Sequence, residues 1–81
     1  MADKPIKFKM LKKALAKYGV SWDAERGKGS HGVFWKKMEG GVFTYPVPPD
    51  KEIPACYARG ARKKFKLTEK DGVSDEEFWA M

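Results

Sequence analysis

The chain has 81 residues, of which 42% are hydrophobic and 35% charged, and its formal net charge is +6. This length supports one hydrophobic core, so we expect a single domain over residues 1–81, and the hydrophobic content excludes wholesale disorder. One cysteine cannot form an internal disulfide, and one cysteine with one histidine are too few for a zinc site. The absence of an apolar run in residues 1–9 predicts no membrane association and a cytoplasmic location.

The first predicted element is an amphipathic helix over residues 7–18. Apolar residues recur at helical spacing and lysines lie off that stripe, the two sets being Phe8, Leu11, Leu15 and Tyr18 against Lys9, Lys12, Lys13 and Lys17. Gly19 is suited to end this helix. Val20, Trp22 and Ala24 then alternate with polar residues, which is typical of a half-buried strand.

A β-hairpin is predicted next, from strands over residues 31–38 and 42–47. Both segments are rich in β-branched and aromatic residues, and Glu39, Gly40 and Gly41 separate them. The two glycines permit the positive φ angles that a tight turn needs. Pro46 cannot donate a ladder hydrogen bond, so it indicates an edge or the end of the third strand.

Two further helices follow the sheet. Pro54 is suited to the first turn of a helix that reaches about Phe65, although Gly60 inside it costs about 1 kcal/mol relative to alanine. Ser74 and Glu77 then form a capping box for a short last helix. A helix this short is unstable alone, so its apolar residues, Phe78 and Trp79, are expected to dock on the rest of the chain.

The order of elements predicts an α+β fold. Short connections favour a three-stranded antiparallel sheet with both long helices on one face and the short helix after them. The aromatic residues of the strands could stack on bases, but in so small a protein they are more often core residues; they are Trp22, Phe34, Trp35, Phe43 and Tyr45.

Charge is distributed unevenly along the chain. Residues 1–68 contain 16 basic and 6 acidic residues, a net charge of +10, whereas residues 69–81 contain one lysine and five acidic residues, a net charge of −4. A part this basic favours a polyanionic partner such as nucleic acid, although charge also serves solubility alone. Lys12 on the first helix and Arg62 on the second are expected to contact phosphate, and a merely solvated helix face is the alternative for each.

The candidate site is the segment 26–32, which brings glycines, a hydroxyl and basic side chains next to the chain's one histidine. Backbone N–H groups around Gly29 could form a nest for an anion, with Arg26 and Lys28 adding charge and Ser30 donating to a phosphate oxygen. The spacing and the following strand exclude a P-loop.

His31 is the candidate catalytic residue. An imidazole titrates near neutral pH, so beside a phosphate it could take the proton of a ribose 2′-OH or donate one to the leaving 5′-oxygen. Either role requires RNA, because DNA lacks that hydroxyl. The alternative is a histidine that ends a loop and hydrogen-bonds to the backbone. No pair of acidic residues is spaced to converge on a metal, so we expect neither a metal nor a cofactor.

The sequence resembles the HicA family of toxin–antitoxin mRNA interferases. The resemblance covers about residues 8–47 and rests on the N-terminal helix ending in Lys17-Tyr18-Gly19 and on Gly29-Ser30-His31 followed by Phe34. It implies a fold similar to the double-stranded RNA-binding domain, His31 as the catalytic histidine, and a HicB-type antitoxin as partner. The chain departs from the family after the third strand, where many members have a Gly-Thr-Leu helix start and this chain has residues 48–54, rich in proline.

Together these observations predict the toxin of a type II toxin–antitoxin system. Its activity would be metal-independent cleavage of mRNA, with His31 as general acid or base. The alternative is a non-catalytic RNA-binding module with the same basic surface.

Overall fold

A computed structural model of the chain describes residues 4–24 and 32–80. The elements are, in order, β1 (Ile6–Lys7), α1 (Phe8–Ala16), β2 (Ser21–Asp23), β3 (Gly32–Met38), β4 (Gly41–Val47), β5 (Glu52–Ile53), α2 (Ala55–Lys64), a 3-10 turn (Glu69–Asp71) and α3 (Asp75–Trp79). This order confirms the α+β class and all six predicted elements. The observed helices are shorter than predicted, and Pro54 precedes α2 instead of lying in its first turn.

Strands β2, β3 and β4 form the predicted antiparallel sheet in that order. Met38 pairs with Gly41, so Glu39 and Gly40 form a two-residue turn. The φ angles of Gly40 and Gly41 are +98° and +132°, which explains why glycine is needed there. Pro46 lies in β4, an edge strand of this sheet, as its missing N–H predicts.

Both long helices pack on the same face of the sheet. Trp22, Phe34 and Tyr45 lie side by side in the register of the three strands and therefore share that face. The ring of Phe8, at the start of α1, stacks on Phe34, and α2 lies against Tyr45 at Gly60. The largest fully buried side chains come from the sheet, the helices and the segments between them; they are Phe34, Phe65, Phe78, Leu11, Leu15, Ile53 and Val47.

Tyr45 accounts for the glycine inside α2. A Cβ atom at Gly60 would lie 2.7 Å from Cζ of Tyr45 and closer still to its hydroxyl oxygen. Glycine lowers the helix propensity of α2, but a larger residue at this position would displace Tyr45. Burial, followed by the nearby Cys56 and Tyr57, raises the pKa of the Tyr45 phenol above its ordinary value.

A second pair of strands, β1 and β5, was not predicted. Ile6 pairs with Ile53 and Lys7 with Glu52 in antiparallel register, and the Phe8 N–H donates to the Lys51 carbonyl at 3.2 Å. These bonds join the start of α1 to the segment that leads into α2.

The C-terminal helix docks as predicted through Phe78. The Ser74 hydroxyl accepts a hydrogen bond from the Glu77 N–H at 3.1 Å, which caps α3. Phe78 is fully buried and its ring stacks on Tyr18 at 6.0 Å. Lys17 of the segment after α1 donates from Nζ to the Glu77 carbonyl at 2.8 Å. Trp79 is only partly buried and packs edge-on against Phe78.

A capping box that the sequence analysis missed precedes α3. Thr68 and Asp71 exchange hydrogen bonds around the 3-10 turn, with Thr68 Oγ1 donating to the Asp71 carboxylate at 2.8 Å. The side-chain hydrogen bond and then the backbone hydrogen bond from Thr68 lower the pKa of Asp71. The stability that this box contributes is therefore present above the ordinary pKa of an aspartate and is lost as pH falls through the lowered value.

No helix within residues 4–24 and 32–80 is long and apolar enough to cross a membrane.

Candidate functional site

The sequence-predicted loop joins neighbouring ends of β2 and β3. Asp23, at the end of β2, pairs with Val33, and Gly32 starts β3 opposite Val47 at the end of β4. The chain therefore leaves the sheet after Asp23 and returns at Gly32, at the same end of the strands. This end of the sheet is termed the basic edge. The predicted site residues of this loop lie outside the described residues; they are Arg26, Lys28, Gly29, Ser30 and His31.

Gly32, the first residue of β3, lies very close to the Trp22 side chain and to the backbone of β2. A Cβ atom at Gly32 would lie 2.7 Å from Cη2 of Trp22 and 2.8 Å from the backbone oxygen of Asp23. Both distances are too short, so only glycine permits this close approach. Gly32 belongs to the candidate segment 26–32, but the sequence alone indicates no role for it. The signal that could have found it is a glycine within an otherwise apolar strand pattern, which often indicates close packing.

We expect Gly32→Ala to lower the free energy of unfolding by about 1–3 kcal/mol, because the added methyl group overpacks the site under Trp22. The change can be measured by urea denaturation. In a Trp22→Leu background the same substitution should cost less, because the indole carbons are gone. An equal cost in both backgrounds would contradict the assignment of the close contact to Trp22.

Three aromatic rings attach the start of α1 to this edge of the sheet. The Trp22 ring lies 4.7 Å from Phe8 in a T-shaped arrangement and 4.6 Å from Phe34 in a tilted one. Aromatic pairs in such geometries contribute about 0.5–1.5 kcal/mol each beyond the area they bury. The edge that carries residues 25–31 is therefore held against α1 by side chains of the core.

Lys12 lies on the side of α1 that borders β2. It is one turn after Phe8, so the two side chains share a side of the helix, and Phe8 contacts Trp22 of β2. Lys12 is exposed, as are Lys9 and Lys13. The exposed surface of α1 is therefore positively charged, which would suit contact with phosphate.

Arg62 occupies a different environment from the one expected for a phosphate contact. It is only 9% exposed, and its Nε and Nη2 atoms donate to the carbonyls of Leu67 and Val73, both at 2.9 Å. Nη1 forms an ion pair with Asp75, and the guanidinium lies 4.8 Å from the centre of the Phe78 ring. The donors of the guanidinium are occupied by these internal contacts, so the expected role of Arg62 as a phosphate contact is not supported.

The described residues contain no group of three histidine, cysteine, aspartate or glutamate side chains placed to hold a metal ion.

The exposed basic residues of α2 are Arg59, Lys63 and Lys64, and Nζ of Lys64 lies 5.6 Å from the centre of the Phe43 ring. Lys64 therefore faces the sheet side of α2.

Comparison of the chain with protein-family models, curated proteins and solved structures found no match.

Proposed function

We propose that the chain is a metal-independent endoribonuclease that cleaves mRNA in the cytoplasm, the toxin of a type II toxin–antitoxin system. The observation that carries the proposal is the position of the residues that flank the basic segment 26–31. Asp23 and Gly32 lie at the end of the sheet where Trp22 contacts Phe8, and the exposed Lys12 follows Phe8 by one helical turn. A phosphate bound at this edge would meet Lys12 from the helix and, from the loop, the side chains of Arg26, Lys28 and Ser30.

His31 supplies the proton transfer in this proposal. In RNA cleavage without a metal, the ribose 2′-oxygen attacks the adjacent phosphorus and the bond to the 5′-oxygen breaks. The 2′-OH proton must leave and the 5′-oxygen must gain one. The His31 imidazole would carry out one of these transfers and a water molecule the other. The products are a 2′,3′-cyclic phosphate and a 5′-hydroxyl.

The fold supports RNA as the substrate by its order of elements. A helix, three antiparallel strands and a second helix on the same face form the arrangement of the double-stranded RNA-binding domain, which recognises the shape of A-form helices. We infer the same relationship here, together with the HicA family resemblance of residues 8–47. A HicB-type antitoxin would then hold the protein inactive by covering the basic edge.

RNA affinity should fall steeply with salt if this surface neutralises phosphates, by about 0.7 log units per log unit of salt for each single-strand contact. Lys12→Glu should weaken binding and reduce that slope by about one. The matched control is Lys37→Glu, because Lys37 is an exposed lysine of β3 on the face opposite to Phe34. Fluorescence anisotropy of a labelled transcript at several salt concentrations measures both. Equal losses for the two variants would remove α1 from the proposed surface.

A further inference from the structure

An open groove lies between α2 and the C-terminal segment. Its volume is about 780 Å³. Ile6, Ala58 and Trp79 contribute apolar surface to its lining, and Ile6 and Trp79 are each only partly buried. Such apolar surface can contact apolar groups of a ligand.

The rim of the groove carries mixed charge with an excess of cations. Arg59, Arg62 and Lys63 of α2 and Lys70 of the 3-10 turn are the basic residues. Glu69 and Asp75 are the acidic ones, and Asp75 already forms an ion pair with Arg62. The groove therefore combines an apolar floor with a net positive rim that still contains carboxylates.

We propose that this groove binds an acidic, amphipathic segment of a protein partner. Apolar side chains of the segment would contact Trp79 and Ile6, and its carboxylates would lie beside Lys63 and Arg59. RNA suits the groove less well, because every phosphate carries negative charge and the carboxylate of Glu69 would repel it. A polypeptide can place neutral or basic side chains beside Glu69.

This proposal is independent of the proposed RNA chemistry. It uses residues of β1, α2, the 3-10 turn and α3, and none of the residues of the proposed ribonuclease site. A protein that failed to cleave RNA could still bind such a segment, so the two proposals can fail separately.

The test begins with selection of peptides from a phage-displayed library of random short peptides on the intact protein. We expect enrichment of peptides that combine aspartate or glutamate with large apolar residues. A selected peptide is then synthesised and its affinity measured by titration. Lys63→Glu should weaken it by about fivefold or more, because an attraction at the rim becomes a repulsion. Lys64→Glu makes the same charge change on the sheet side of α2 and should alter affinity by less than about twofold.

Two of the three tryptophans, Trp79 and Trp35, report where the peptide binds. The peptide should shift the indole N–H resonance of Trp79 and leave that of Trp35 unchanged, because Trp35 lies in β3 outside the groove. Failure to enrich acidic peptides, equal losses for Lys63→Glu and Lys64→Glu, or an unmoved Trp79 would overturn the proposal. So would an RNA oligonucleotide that shifts Trp79 equally, or a Trp79 shift on concentrating the protein alone, which would indicate a second copy of the chain as occupant.

Discussion

His31→Ala should lose RNA cleavage by about 10²- to 10⁴-fold while RNA affinity stays nearly constant, since one general acid or base typically contributes that factor. His31 is the chain's single histidine, so no second imidazole can replace it. An ordinary point substitution costs about 1 kcal/mol, and the variant should therefore remain folded. Cleavage of one transcript, RNA affinity and thermal unfolding are measured for both proteins. The wild-type products should end in a 2′,3′-cyclic phosphate.

His31→Gln provides the matched control, because glutamine keeps a polar side chain without an imidazole to transfer protons. It should bind RNA and fail to cleave, as His31→Ala does. Cleavage by either folded variant near the wild-type rate would remove the catalytic assignment, and inhibition of the wild type by a chelator would remove the metal-independent mechanism. Binding by the wild type with no cleavage under any condition would favour the non-catalytic RNA-binding module.

The elements that the sequence predicted correctly are those with signals over a few neighbouring residues. The apolar stripe of α1, the glycines between β3 and β4 and the Ser74 cap each specify local backbone geometry. The pairing of β1 with β5 has no such signal. Ile6–Lys7 and Glu52–Ile53 are two-residue strands far apart in the chain, so no pattern of neighbouring residues indicates that they pair.

Of the candidate site, the loop residues 26–31 stay a prediction because they lie outside the described residues, and the environment of Arg62 was not predictable from the sequence. A pattern of basic residues on α2 made Arg62 look like its neighbours Arg59 and Lys63, because helical spacing alone does not show which cation is covered. Its burial depends on the carbonyls of Leu67 and Val73, which approach only when the C-terminal segment folds back. In the sequence, Gly60 indicates only a lower helix propensity. Its reason is the Tyr45 hydroxyl, which occupies the space that a side chain at position 60 would need.

Arg62→Ala should lower the free energy of unfolding by about 3 kcal/mol, a large part of the 5–15 kcal/mol typical of a domain. The truncation leaves the buried carbonyls of Leu67 and Val73 without donors and removes the cation over the Phe78 ring. Because these contacts hold residues 67–78 in place, Arg62→Ala should accelerate solvent exchange of the backbone amides there more than that of the amides in β3. Urea denaturation and hydrogen exchange measure the two effects.

Two further variants separate the contacts of Arg62 from its charge. Arg62→Lys keeps the charge but lacks the planar fork that reaches two carbonyls at once, so it should cost nearly as much as alanine. Asp75→Asn removes the ion pair alone. The Asp75 side chain is 73% exposed, so water screens the pair and this variant should cost no more than about 1 kcal/mol. If Asp75→Asn cost as much as Arg62→Ala, the ion pair and not the carbonyl contacts would hold the C-terminal segment. A loss of RNA affinity in Arg62→Lys under conditions where it is fully folded would return Arg62 to the phosphate-binding surface.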